Sequence, residues 1–292
     1  SNSFVANNYE APRAKLQLTG EATVNLKNAL GKGETIGLNW QQLQLNSPRL
    51  NLLYDQSFLW GSPFGFRFQF DLFKKDTSFV TINLQVGSGF KLGTGKSGAL
   101  FLQRQRSNLV AVDTGAVSKF RELPNAADLQ LTSLGVQLEG YTTNYRLNPV
   151  RGNEWQLQLT AGTRNIKKNN GILKLKDRQD PGFDYGRLYD SLQLNSYQLR
   201  IRSTAAHFFP LGGVTTLKLG LDAGWVYSPR LFRNELFQIG GYKLLRGFDE
   251  ESIYASHFLV AGMEYRYLVG RNSRFYAFLD AGWVRNSATV QL

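Results

Sequence analysis

Long runs of strict two-residue alternation constrain this chain more than any other feature. In residues 64–72, Phe64, Phe66, Phe68, Phe70 and Leu72 alternate with Gly65, Arg67, Gln69 and Asp71. In 79–87, Val80, Ile82, Leu84 and Val86 oppose Thr81, Asn83, Gln85 and Gly87. In 155–164, Trp155, Leu157, Leu159 and Ala161 oppose Gln156, Gln158, Thr160 and Arg164, and residues 15–28 follow the same rule. Side chains with period two project from opposite faces of a β-strand. The template predicts roughly twelve strands, at about 15–29, 34–45, 48–58, 64–75, 77–92, 97–107, 126–142, 153–166, 194–208, 214–228, 255–269 and 273–286, and no helix. Several of these runs exceed the five or six residues usual in soluble sheets and reach the roughly ten that a tilted membrane strand needs. No apolar run approaches the roughly 18 residues of a membrane helix.

The connections are sorted by length. WGSPFG (60–65), GTGKSG (93–98), PLGG (210–213) and VGRNS (269–273) are short turns, whereas 108–125, 167–193 and 229–254 are long loops. Short turns at one end and long loops at the other describe an up-and-down barrel across an outer membrane. A soluble sandwich has no need of that segregation. Trp40, Trp60, Trp155, Trp225, Tyr227 and Trp283 fall near strand ends, which fits an interfacial belt. The fold expected is all-β, a transmembrane antiparallel up-and-down β-barrel with apolar residues toward lipid and polar ones toward the lumen.

Composition removes several chemistries. The chain has no cysteine, so disulfides, thiolate metal sites and cysteine nucleophiles are excluded. The two histidines, His207 and His257, have no carboxylate or second histidine at metal-ligand spacing. No G-x-S-x-G elbow is present. GSGFKLGTGKSG (87–98) has the look of a phosphate loop, but Phe90 stands where the spacing needs glycine, and strands flank it where a helix should follow. A tight turn is expected there. No catalytic residue, cofactor or metal is expected, and the chain is not expected to be an enzyme. The formal charge of +12 suits anionic lipid, glycolipid or nucleic acid. Its basic residues are scattered rather than gathered in one patch, so nucleic acid is not expected as a partner. SNSFVANNYEAP (1–12) has no charged-then-apolar signal sequence.

One phrase is written twice. LDAGWV occurs at 221–226 and 279–284, and GGYKLLRGFDEES (240–252) lies between the copies. Alternation places Asp222 and Asp280 on the polar face of their strands, with Glu264 and Arg266 on the polar face of the strand between. Glycines stand beside each acid and leave room for something. The acidic run Asp249, Glu250 and Glu251 reads as a solvated loop face, with ion binding or a network to luminal arginines such as Arg200 and Arg202 as the sharper option.

GGYKLLRGF resembles the loop phrase of the outer-membrane assembly superfamily that includes BamA, TamA and the two-partner secretion transporters, and the wording is most similar to BamA/TamA-type proteins of Bacteroidetes. In that family an Arg-Gly-Phe loop folds back into the lumen. Its arginine pairs with the aspartate of a Phe-x-Asp-x-Gly strand motif, near a glutamate in the preceding strand. The matching positions here are Arg246, Gly247 and Phe248 in the loop, Phe278, Asp280 and Gly282 in the strand motif, and Glu264 in GMEYRYL. Asp222 and Arg266 are secondary luminal positions; the first LDAGWV copy has Gly220 where the motif has its aromatic. A guanidinium buried without counter-ions is costly, and two carboxylates would supply forked, charge-assisted bonds.

The resemblance implies a barrel of about sixteen strands, of which this chain would hold about twelve, strands two to thirteen. All of 1–292 would be one partial barrel domain. The lateral seam and the family's periplasmic POTRA repeats would lie outside it, because nothing before residue 15 could form a repeat. The implied location is the bacterial outer membrane. The implied function is assembly and insertion of outer-membrane β-barrel proteins. Its partners would be outer-membrane lipid or lipopolysaccharide, unfolded β-barrel clients and accessory assembly lipoproteins. A two-partner secretion transporter, a passive pore and the barrel anchor of a patatin-like enzyme stay open as alternatives.

Overall fold

The computed structural model describes residues 20–42, 46–59, 61–177, 180 and 182–288. Residues 15–19 and 43–45 of the expected strands, and Trp60 of the expected belt, lie outside these. All twelve expected strands form. They are β1 (Gly20–Lys27), β2 (Glu34–Gln42), β3 (Arg49–Gln56), β4 (Phe66–Lys75), β5 (Phe79–Gly93), β6 (Lys96–Leu109), β7 (Asp128–Tyr141), β8 (Gly152–Lys167), β9 (Asn195–Gly212), β10 (Thr215–Tyr227), β13 (His257–Leu268) and β14 (Arg274–Arg285). Each pairs antiparallel with its neighbour in one 12-stranded sheet. The sheet does not close: among the described residues β1 and β14 each pair on one side only. Strands β5 to β9 run 14 to 18 residues, well beyond soluble strands.

The structure departs from the sequence reading inside the long loops. Two short helices occur where none was expected, α1 (Thr114–Phe120) and α2 (Asn170–Leu173). Each is started by a side-chain cap: Asp113 Oδ1 accepts from the Ala116 N–H at 2.9 Å, and Asn169 Oδ1 from the Gly171 N–H at 2.8 Å. Helices of seven and four residues are too short to display a 3.6-residue period, and packing rather than propensity holds them. The third long loop carries a small hairpin of its own, β11 (Phe237–Ile239) with β12 (Ile253–Ala255). The chain also turns at Gly212-Gly213 rather than at Pro210, which stays within β9 beside a register shift against β10.

All three long loops emerge from one end of the sheet, and the 94–95, 213–214 and 269–273 turns from the other. The phosphate-loop lookalike is the tight turn between β5 and β6. Buried apolar side chains gather at the loop-bearing end. Val117, Ile172, Tyr185 and Tyr189 from the first two loops pack on Leu129, Leu131 and Ile166 of β7 and β8. Val226, Leu236, Phe237, Ile239 and Leu245 pack on Phe258 and Val260 of β13. Along the strands, apolar residues are exposed on one face: Leu219 and Leu221 of β10, Leu259 and Met263 of β13, Leu279 and Trp283 of β14. Polar residues take the other face, as in the β3–β6 ladder where Asp71 accepts from Asn51 and Asn83, and Asn83 from Gln103. That is the inverted polarity of a sheet whose outside is lipid.

The register marks the depth of that outer face. Leu102, Leu134, Ala161 and Leu199 form one cross-strand row over β6 to β9, and Leu100, Val136, Leu159 and Ile201 the next. Replacing Leu159 by Arg at the centre of this apolar belt is expected to cost about 2–4 kcal/mol, whereas Gln158→Arg on the polar face stays within about 1 kcal/mol. Urea unfolding in lipid vesicles measures both.

Candidate functional site

The loop between β10 and β13, residues 228–256, folds against the polar face of the sheet. Its tip, Gly240 to Ser252, is closed by the β11–β12 hairpin and turned by left-handed residues. Gly247 has φ +99°, a conformation that an L side chain adopts only under strain, which accounts for glycine after the arginine. Leu245, at φ +59°, is buried and points the chain so that Arg246 enters the wall. Leu245 is accommodated by Gly282 of β14. A Cβ there would stand 3.1 Å from Leu245 Cδ1. Across the pair, a Cβ at Gly262 would stand 3.0 Å from Asp280 Oδ1.

Arg246 lies between two carboxylates on adjacent strands. Its Nε donates to Asp280 Oδ2 at 2.8 Å and its Nη2 to Asp280 Oδ1 at 2.7 Å. Nη1 donates to Glu264 Oε1 at 2.8 Å, and the backbone N–H of Arg246 adds a bond to Asp280 Oδ2 at 2.9 Å. The guanidinium sits 3.9 Å from the Phe278 ring centroid, a cation–π contact. These bonds, those to Asp280 above all, raise the guanidinium's hold on its proton above the ordinary arginine value. Glu264 is shared. Its Oε2 also accepts from Arg266, at 2.8 Å from Nε and 2.6 Å from Nη2, and Lys218 Nζ stands 3.7 Å from Oε1. Arg266 is buried, with its guanidinium 5.1 Å from the Phe208 ring.

The structure thus brings together Arg246, Glu264, Arg266, Phe278, Asp280 and Gly282, with Gly247 supplying the turn. Two named positions stand apart. Phe248 is more than half exposed and contributes no ring contact to the group. Asp222 faces the same small cavity of about 50 Å³ as Arg246, Glu264 and Asp280, and among the described residues it makes no hydrogen bond or ion pair. The acidic run pairs, but not with Arg200 or Arg202: Glu251 Oε1 meets Arg49 Nη2 of β3 at 2.5 Å. Arg200 and Arg202 instead stack on Phe237 and Phe258, and Arg200 donates to the Glu235 carbonyl at 2.8 Å.

A second ion pair in the same loop has no counterpart in the sequence reading. Arg164 of β8 donates to Glu235 from Nε and Nη2, at 2.6 and 2.7 Å, and both side chains are 1% exposed. Gln198 of β9 donates to Glu235 at 2.8 Å, and Arg164 also donates to the Arg230 carbonyl at 2.7 Å. Next to it, Asn234 donates to Ser107 of β6 and to the Ala127 carbonyl, each at 2.8 Å. One loop therefore bonds to β3, β6, β8, β9, β13 and β14, so the sheet must curl around it. At the other end, Asn148 of the 142–151 turn accepts from Arg274 of β14 at 3.0 Å, which requires the same curl. The His207 ring bonds to Asn153, and His257 to Ser256 at 2.8 Å; no metal-binding cluster occurs among the described residues.

Residues 28–291 match the model of the Omp85 superfamily domain. The chain belongs to the Omp85 superfamily. Its fold is that of the superfamily's outer-membrane β-barrel, and solved structures agree. It is similar to BamA from Haemophilus ducreyi lacking POTRA domains 1–3, with TM-score 0.58 and 16% identity over 91% of this chain and 55% of that one. It is also similar to CdiB from Acinetobacter baumannii, with TM-score 0.55 and 13% identity over 94% of this chain and 47% of that one. The chain therefore spans about half the length of these two solved chains. No curated protein matches it.

Removing a partner from a desolvated pair strands the other charge. Arg246→Ala is expected to destabilise the barrel by about 3 kcal/mol, and a double-mutant cycle with Asp280→Ala to give a coupling above about 1 kcal/mol. Glu235→Ala, in the more deeply buried pair, is expected to cost at least as much, about 3–5 kcal/mol. Unfolding in vesicles, read by heat-dependent gel migration, ranks the three.

Proposed function

We propose that this Omp85 barrel segment belongs to a BamA/TamA-type factor that folds and inserts β-barrel proteins into the outer membrane. The observation that carries this reading is the clasp of Arg246 by Asp280 and Glu264. In it the loop acts as a strut that fixes the curvature of the late strands while the rest of the wall is free to deform. Such a device performs no bond chemistry. It lowers the barrier to another barrel's insertion by holding a defined but strained wall in the bilayer. The residues with that role are Arg246, Gly247, Glu264, Phe278, Asp280 and Gly282, with Arg266 as the second cation on Glu264. In the whole protein the chain would supply strands two to thirteen, and clients would be unfolded β-barrel proteins delivered with the help of accessory lipoproteins.

The likeness to CdiB favours a second reading, a secretion transporter on the same frame. A passive pore fits poorly with a loop bonded to six strands across the interior. Depletion of the protein followed by outer-membrane proteomics separates the two active roles. The assembly reading expects many β-barrel proteins to fall together, and Arg246→Ala to restore them by less than half of the wild-type level. Loss of a single exported protein with all other barrels unchanged would overturn it in favour of secretion.

A further inference from the structure

Two arginines stand on the wrong face of β6 for a luminal role. Arg104 and Arg106 alternate with the inward Gln103, Gln105 and Ser107, and both are exposed on the face that carries Leu100 and Leu102. Among the described residues neither guanidinium has a hydrogen-bond, ion-pair or ring partner. Their cross-strand neighbours on this face are Leu84 and Ile82 of β5, and Thr132 and Gln130 of β7. None carries a negative charge.

The register fixes their depth. The row Val24, Leu38, Leu52, Phe70 and Leu84 is apolar across β1 to β5, and on reaching β6 to β8 it becomes Arg104, Thr132 and Thr163. The adjacent row changes in the same place, from Leu50, Leu72 and Ile82 to Arg106, Gln130 and Asn165. Rows run perpendicular to tilted strands, so they climb out of the hydrocarbon as they cross the sheet. The outward face is apolar between Trp155 and Thr163 on β8 and between Lys96 and Arg104 on β6, eight steps along each strand. At about 3.4 Å per residue and a tilt near 40°, that is roughly 20 Å along the membrane normal. Arg104 therefore lies at the hydrocarbon edge on the side of the long loops, which is the outer leaflet, with Arg106 just above it. An arginine is costly at the midplane and nearly free at this level.

We propose that Arg104 and Arg106 form a binding site for the phosphate groups of an anionic outer-leaflet glycolipid. Alternate residues of one strand lie roughly 7 Å apart, so two forked donors present themselves side by side to headgroup phosphates. Leu100, Leu102 and Leu134 directly below offer an apolar bed to the acyl chains of the same molecule. Thr132, Thr163 and the 77%-exposed Tyr197 continue the polar edge and can donate to sugar hydroxyls. The inference rests on the sheet lying in a bilayer and is independent of the assembly role proposed for the loop.

Native mass spectrometry of the detergent-solubilised full-length protein, titrated with lipid A or its dephosphorylated form, tests the site. Wild type is expected to retain lipid A at least tenfold more tightly than the dephosphorylated form. Inorganic phosphate at millimolar concentration is expected not to displace it. R104Q/R106Q is expected to lose on the order of thirtyfold in affinity, and R104K/R106K to keep most of it. R67Q, which removes a luminal arginine, serves as the control for folding and is expected to bind like wild type. Equal binding of lipid A by wild type and R104Q/R106Q, equal binding of the two lipid forms, or displacement by inorganic phosphate would each overturn the proposal.

Discussion

A cation carried into the interior of a protein wall must find its counter-charges already there. That requirement organises this molecule more than hydrophobic packing does. The outer face is apolar because it meets lipid, so an apolar core holds the loop to the wall only locally, where Leu236, Phe237, Ile239 and Leu245 pack on Phe258 and Val260. Elsewhere the polar inner face holds it through charge pairs. Arg246 with Asp280 and Glu264, Arg164 with Glu235, and Arg49 with Glu251 do so at three separate places on the wall, at β13–β14, β8 and β3. Glycines at 262 and 282 clear the space in which the first pair forms.

The pairs differ in direction. At β13 and β14 the loop brings the cation and the wall the acids; at β8 and β3 the wall brings the cation and the loop the acid. A loop of one sign would be drawn to any luminal patch of the other. A loop that turns a cation to one side of the lumen and acids to the other has a single favourable placement, because reversing it would set arginine against arginine. Orientation is thus written into the charge pattern, and the apolar contacts of Leu236, Phe237 and Leu245 refine it.

The strands were legible because period two persists for eight or more residues in each, longer than chance alternation. Loop sorting was legible for the same reason, since strand ends locate the connections. The Arg246 cluster was legible through phrase similarity and then through alternation, which placed Glu264 and Asp280 on one face. What stayed hidden is short or distant. α1, α2, β11 and β12 are held by tertiary packing and are shorter than any period that could announce them. Glu235 is a lone acid in a long loop and Glu251 the last of an acidic run, and nothing local says that their partners are Arg164 on β8 and Arg49 on β3. Arg104 and Arg106 sat inside an alternating run, but which face was outward could only come from the three-dimensional pairing.

Glu264 holds two guanidiniums at once, and this has a mechanical corollary. Were the tip to withdraw, Arg266 would keep its bonds to the second carboxylate oxygen and Lys218 would stand ready at the first. Only Asp280 would be left without a cation. On this side of the barrel the wall on β13 would stay neutralised while β14 carried the unpaired acid, and across the lumen Arg49 of β3 would lose Glu251, so the resulting stress would fall on two separate staves.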